Sequence, residues 1–201
     1  MEQLNTLLRG TDIIVIADEV YEHMVYDGAP HESVARFPEL AQRSFAVSSF
    51  GKTFHVTGWK VGYVVAPAEL MAEFRKVHQF NVFTVNTPMQ HGLASYMSDA
   101  SHHLELPAFY QRKRDLFRSG LGKTRLRVLE TRGSFFQCVD YSAVSDLPEA
   151  AFCEWLTTEI GVAAIPLAAF YEKGFEQRIA RFCFAKKDET LNLALERLSR
   201  L

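Results

Sequence analysis

Lys52 sits in the stretch SSFGKTFHVTGWK, Ser48 to Lys60, where its type and spacing admit two chemistries. Gly51-Lys52-Thr53 matches the end of the phosphate-binding pattern G-x-x-x-x-G-K-[ST]. Upstream, IIVIADE (Ile13 to Glu19) ends an apolar run in two carboxylates, as a magnesium-binding strand would. Three local facts exclude that reading. The position five residues before Gly51 is Ala46, where the loop needs a glycine to wrap its backbone round a phosphate. A phosphate-binding Lys-Thr pair opens a helix whose amides face the anion. Here FHVTGWKVGYVVA is β-branched and aromatic, is broken by Gly58 and runs into a strand. The acidic strand also precedes the lysine instead of following it. An ATPase site is excluded.

The second chemistry is that of an amine nucleophile. A lysine held between Gly51 and Gly58 at the end of a buried strand can form a Schiff base with a carbonyl, including the aldehyde of pyridoxal phosphate. That chemistry needs a carboxylate to keep the pyridine nitrogen protonated, cations and hydroxyls for the phosphate, and an arginine fork for a substrate carboxylate. Residues of each type are present: Asp18, Tyr21, Ser49, Lys60 and Arg181. Taken singly, they have plainer readings. Asp18 could cap the following helix, Tyr21 could pack, Lys60 could guard a strand edge, and Arg181 could pair with a core acid. What favours the chemistry is that all of them serve one reaction.

The joint pattern is D-x-x-Y, S-x-x-K, a lysine seven residues after Thr53, and a late R-x-C-F. With the segments IIVIADEVYEHMVYDG, SSFGKTFHVTGWKVGYVVAP, RGSFFQCVDYS and IARFCFAKKDETL, it resembles the pyridoxal-phosphate-dependent aminotransferases, class I/II, of the aspartate-aminotransferase fold type. Within that family it looks similar above all to the methionine and kynurenine-type members. The resemblance implies roles residue by residue. Lys52 forms the Schiff base and shuttles the substrate α-proton, Asp18 pairs with the pyridinium, and Tyr21 hydrogen-bonds the phenolic oxygen. Ser49 and Lys60 bind the phosphate, Lys60 standing where many relatives have arginine, and Arg181 clamps the substrate carboxylate. The implied reaction is amino transfer between an L-amino acid, methionine or aromatic, and a 2-oxo acid. Carbon–sulfur β-elimination on the same constellation is the enzymatic alternative. An inactive fragment or an interaction protein is the other. A homodimer is expected, with Asn86 and Thr87 of NVFTVNTPMQ near the partner's site.

The elements that must position these residues read as an α/β half followed by an α+β half. IIVIAD (13–18), SFAVSSF (44–50) and KVGYVVAP (60–67) read as strands covered on both faces, in a mostly parallel sheet. PAELMAEFRKVHQF reads as a helix with Pro67 in its first turn and Leu70, Phe74 and Val77 forming one apolar face; a second follows Pro88. LELPAFYQRKRDLFRSGL reads as a long helix with a solvated basic face. A strand pair turns near Gly133, and a helix runs from Pro148 to Gly161. The strands VAAIPLAAF and IARFCFA and a helix from Asp188 with Leu191, Leu195 and Leu198 inward complete the chain. The expected domains are residues 1–105, the C-terminal part of a cofactor-binding large domain, and 106–201, a small α+β domain. Members of the resembling family are about twice as long, so a fragment lacking an N-terminal half is the favoured reading and activity of the chain alone is doubtful.

Composition narrows the classes further. The 201 residues are 48% hydrophobic and 23% charged with a formal net charge of -2, enough for a core and without a nucleic-acid or membrane-binding surface. Three scattered cysteines, Cys138, Cys153 and Cys183, form no C-x-x-C pair, and the histidines lack ligand spacing, so no metal site is expected. The first residues lack a signal-peptide pattern, and a soluble, cytoplasmic protein is the expectation.

Overall fold

A computed structural model describes residues 1–172 and 174–201. The chain divides into two compact units, Met1–Leu106 and Pro107–Leu201. Among the described residues no helix is long and apolar enough to cross a membrane.

In the first unit α1 (Glu2–Leu8) leads into β1 (Val15–Asp18), α2 (Pro38–Ala41), β2 (Ser44–Ser49), α3 (Phe50–Thr53) and β3 (Gly62–Val65). The helices α4 (Ala68–Asn81), α5 (Thr87–Tyr96) and α6 (Ser101–Leu104) follow. The sheet runs β1-β2-β3. β1 is parallel to β2 with Asp18 opposite Val47, whereas β3 is antiparallel to β2 with Gly62 opposite Ser49. Leu8, Val34 and Leu40 form a core against which Val15, Ala17 and Ala46 pack. The expectation of strands covered on both faces fails here. Ile16 on β1 is 75% exposed and Val65 on β3 57%. Both side chains stand on sheet faces that the described residues leave open. α4 likewise starts one residue later than expected, with Pro67 as its N-cap, and buries no residue; Leu70 and Phe74 are half-covered and Val77 is exposed. α5 starts one residue before Pro88, capped by Asn86, whose Oδ1 accepts from Met89 N at 3.1 Å.

The second unit comprises α7 (Leu106–Leu121), β4 (Arg127–Val128), β5 (Phe136–Asp140), α8 (Glu149–Trp155), β6 (Ile165–Pro166), β7 (Ile179–Cys183) and α9 (Asp188–Leu198). Its sheet, ordered β4-β5-β7-β6, is antiparallel throughout. Strand alternation sorts the side chains: Gln137, Val139, Ala180 and Phe182 are buried, while Phe136, Cys138 and Arg181 share the other face. Leu191 and Leu198 of α9 are buried as the periodicity predicts.

Two expectations are corrected in this unit. The basic face of α7 is not wholly solvated, because Arg114 is buried and donates to Thr131 O (3.0 Å), and Arg118 donates to Leu129 O (2.7 Å) and Gln137 Oε1 (3.1 Å). Long stems let these guanidinium groups reach carbonyls that the short β4 leaves unpaired. The β4–β5 turn lies near Gly133 as expected, with Ser134 as its left-handed residue (φ 61°). Of VAAIPLAAF only Ile165–Pro166 pairs, and Leu167–Phe170 coils into a 3-10 turn. Its Ala168 N–H is taken by the carboxylate of Glu149. α8 continues through a π-turn, Leu156–Ile160, and stops at Gly161 (φ 74°).

Candidate active site

The first unit gathers five of the six predicted residues at one end of its sheet. β1 ends at Asp18, and the ladder closes with Glu19 N donating to Val47 O at 2.8 Å. Asp18 is exposed. Its Oδ1 accepts from Val20 N at 3.2 Å, the local turn-capping role, and among the described residues its second oxygen carries no hydrogen bond. Tyr21 follows in a tight turn, fixed by Glu22 N to Glu19 O (2.9 Å) and Met24 N to Tyr21 O (2.8 Å).

β2 ends at Ser49, whose hydroxyl caps α3 by accepting from Gly51 N (3.1 Å) and donates to Val61 O (3.4 Å). Lys52 is therefore the third residue of a four-residue helix, half-buried, and does not open a helix as a phosphate-loop lysine would. The neighbouring glycine is required by packing, since a Cβ on Gly51 would lie 2.9 Å from Thr57 Cα. Lys60 adopts a left-handed conformation (φ 57°) two residues before β3. With Asp18 opposite Val47, a rise of about 3.3 Å per residue and a strand spacing of about 4.8 Å put the Asp18 and Ser49 Cα atoms about 8 Å apart. Among the described residues the ammonium groups of Lys52 and Lys60 form no hydrogen bond or ion pair.

Two carboxylates that sequence reasoning passed over fasten the turn bearing Tyr21. Glu19 Oε1 accepts from Val34 N and its Oε2 meets His31 Nε2, both at 2.9 Å. Burial alone would raise the Glu19 carboxyl, but the bonds from His31 and Val34 outweigh it and hold the group below the usual range. Glu22 Oε1 accepts from Ser48 Oγ (2.7 Å) and from the Tyr63 hydroxyl. Burial, then the bond to Glu22, pushes the Tyr63 phenol up to about 12. His23, half-buried with its ring centroid 4.9 Å from that of His103, is lowered by burial. The only sequence signal for this pair was acid spacing: Glu19 and Glu22 stand either side of Val20-Tyr21.

The sixth residue, Arg181, lies in the second unit on β7, opposite Cys138 on β5 and Ile165 on β6. Its guanidinium carbon is 4.1 Å from the centroid of the Phe136 ring and 4.5 Å from that of Phe170. Its Nε is buried without a hydrogen-bond partner among the described residues, and no carboxylate pairs with it there. The plainer reading, an arginine spent on a core acid, is thus not what this side chain does.

The sequence family described as aminotransferase class I and II matches residues 1–198. The chain is 52% identical over 195 residues to the methionine aminotransferase of Escherichia coli K12, covering 96% of this chain and 50% of that protein. It is 35% identical to human kynurenine–oxoglutarate transaminase 1, covering 98% and 52%. Among solved structures, the Escherichia coli protein YbdL, described as having a methionine aminotransferase function, superposes with a TM-score of 0.96 at 51% identity over 100% of this chain and 53% of its own. N-succinyldiaminopimelate aminotransferase from Mycobacterium tuberculosis gives 0.89 at 35% identity, over 98% and 52%. The chain spans about half the length of the curated relatives it matches.

Proposed function

Because the chain belongs to the aminotransferase class I and II family, we propose that its site serves amino transfer between an L-amino acid and a 2-oxo acid with pyridoxal phosphate. The observation that carries the proposal is an unpaired lysine amine and an open carboxylate at the same end of adjacent parallel strands. The donor set fits the cofactor: a primary amine for its aldehyde, an acid for its ring nitrogen, a hydroxyl and a lysine for its phosphate. Bound there, pyridoxal phosphate supplies the electron sink for the charge left when the substrate α-proton departs.

The residues of this chain divide the remaining work. The Lys52 amine holds the cofactor and then, once free, takes the proton from the substrate α-carbon and returns it as an acid. The Asp18 carboxylate keeps the ring nitrogen protonated. Tyr21 donates to the ring oxygen, and Ser49 and Lys60 meet the phosphate. Arg181 receives the substrate carboxylate in the plane of its fork. The names of the methionine and kynurenine relatives support a substrate with an apolar or aromatic side chain. Assembly as a homodimer is part of the proposal. It is supported by the exposed aromatic rings of Phe80 (85%) and Phe83 (78%), just before Asn86 and Thr87.

The test is to add pyridoxal phosphate to the 201-residue chain, reduce with borohydride and map the modified lysine by mass spectrometry. Selective modification of Lys52, absent in Lys52→Ala, is the expected result. Labelling scattered over surface lysines would overturn the proposal. Incubation with methionine and a 2-oxo acid should yield the new amino acid, whereas pyruvate and ammonia from a cysteine conjugate would indicate the lyase.

A further inference from the structure

Glu149 is a carboxylate with no exposure at all, and among the described residues no cation pairs with it. A buried charge persists only where hydrogen bonds replace its water. Here backbone N–H groups do so: Oε1 accepts from Gln177 N (2.9 Å) and Ile179 N (3.0 Å), and Oε2 accepts from Ala168 N. Its own N–H is spent on Glu176 Oε2 at 2.8 Å. One carboxylate thus ties together the start of β7, which carries Arg181, and the 3-10 turn that carries Phe170.

We infer that Glu149 is a positioning residue, holding the Phe170 ring over the Arg181 guanidinium so that only the edge of the fork is open to a carboxylate. This rests on the reading of Arg181 as the substrate-carboxylate clamp. The two rings that sandwich Arg181 are fixed in different ways. Phe136 is held by the sheet, its partner Cys183 standing two residues from Arg181. Phe170 lies on no strand and its ring is 58% exposed. Its backbone anchor is the Ala168–Glu149 bond two residues away. With both faces covered, the guanidinium bonds only within its plane, the geometry a bidentate carboxylate matches.

The experiment uses the full chain. The Arg181 Nε–H resonance is identified by its loss in Arg181→Lys, and carboxylate binding is titrated with 3-phenylpropionate. In Glu149→Gln the side-chain amide turns a donor toward a backbone donor, and the Phe170 turn is released. The Arg181 resonance should move toward that of free arginine and the carboxylate should bind about tenfold more weakly, the scale of one lost hydrogen bond. Phe170→Leu should move both in the same direction. Borohydride labelling of Lys52, in the other unit, should stay as in the unaltered chain. Should Glu149→Gln fail to fold, Glu149→Asp decides, because it keeps the charge and loses the reach; its resonance should move part of the way. An Arg181 resonance unmoved in a folded Glu149 variant overturns the inference, as does undiminished carboxylate binding in Phe170→Leu. Undiminished binding in Arg181→Lys instead overturns the clamp reading, while the resonance shifts still report the positioning.

Discussion

Replacing Gly62 by alanine tests whether close backbone contact between β2 and β3 sets the site. A Cβ at Gly62 would sit 2.5 Å from Ser48 O and 3.4 Å from Ser49 Cα. Carbon rests against a carbonyl oxygen at no less than about 3.3 Å, so the overlap is about 0.8 Å. The obstacle is backbone, and no rotamer change relieves it. β3 must therefore move away from β2 at the pair Ser49–Gly62, which carries the Ser49 hydroxyl and lies two residues after Lys60. Overpacking of this kind costs about 1–3 kcal/mol. For a chain of this size that is a fall in apparent Tm of about 2–12 °C. The control is Gly58→Ala in the same loop, where an added Cβ meets nothing within 4 Å and Tm should shift little. Thermal unfolding by circular dichroism gives the stability term, and borohydride labelling of Lys52 with pyridoxal phosphate gives the site term. Gly62→Ala should lose both stability and selectivity, with Gly58→Ala retaining both. A Gly62→Ala chain with unchanged Tm and selective Lys52 labelling would refute the claim that this approach fixes the register.

Tyr63 should ionise only near pH 12, followed by tyrosinate absorbance, because burial and the Glu22 carboxylate raise its phenol from 10. Its folded value lies above its unfolded one, so the stability it contributes is intact below pH 10 and lost as pH rises through about 12. Glu22→Gln should bring the ionisation down; an unchanged titration would mean that burial acts alone. Asp140 behaves in the opposite sense. Burial would raise its carboxyl, but bonds from Ser142 and Arg127 outweigh that and hold it at about 2, below its ordinary 3.8. Its contribution is therefore present above about pH 4 and lost as pH falls through about 2. Urea midpoints of the unaltered chain and Arg127→Met should differ at pH 6 and converge toward pH 2; a constant gap would refute the pairing. Arg114→Met keeps the buried stem but leaves Thr131 O without its donor, and should cost about 1–3 kcal/mol in the same assay. A loss below 0.5 kcal/mol, the range of an ordinary surface change, would show that the guanidinium is dispensable.

The sequence made the clustering of the candidate residues in the first unit legible because they are close along the chain. Ser49, Lys52 and Lys60 fall within one strand–helix–strand segment, and Asp18 ends the apolar run that pairs beside it. Periodicity alone also located α9 and its buried Leu191 and Leu198. What it could not reveal depends on partners distant in the chain. The Val/Ile runs of β1 and β3 carry the pattern of central strands, yet each stands at an edge, since a strand's own residues do not say whether another lies alongside. VAAIPLAAF has the β-branched and apolar content of a strand, but Ala168 N bonds Glu149, 19 residues earlier, in place of a ladder partner. Arg114 and Arg118 match a solvated helix face by spacing, yet partners that include the carbonyls of Leu129 and Thr131 draw them inward. Arg181 shows both limits at once. Its motif is what proposes it as a carboxylate binder, while the two rings that stack on it come from positions 45 and 11 residues away. Reading such a residue from sequence thus names a candidate group for the chemistry. The groups that aim it are chosen by the fold, and at Arg181 they are Phe136, Phe170 and, behind Phe170, the buried carboxylate of Glu149.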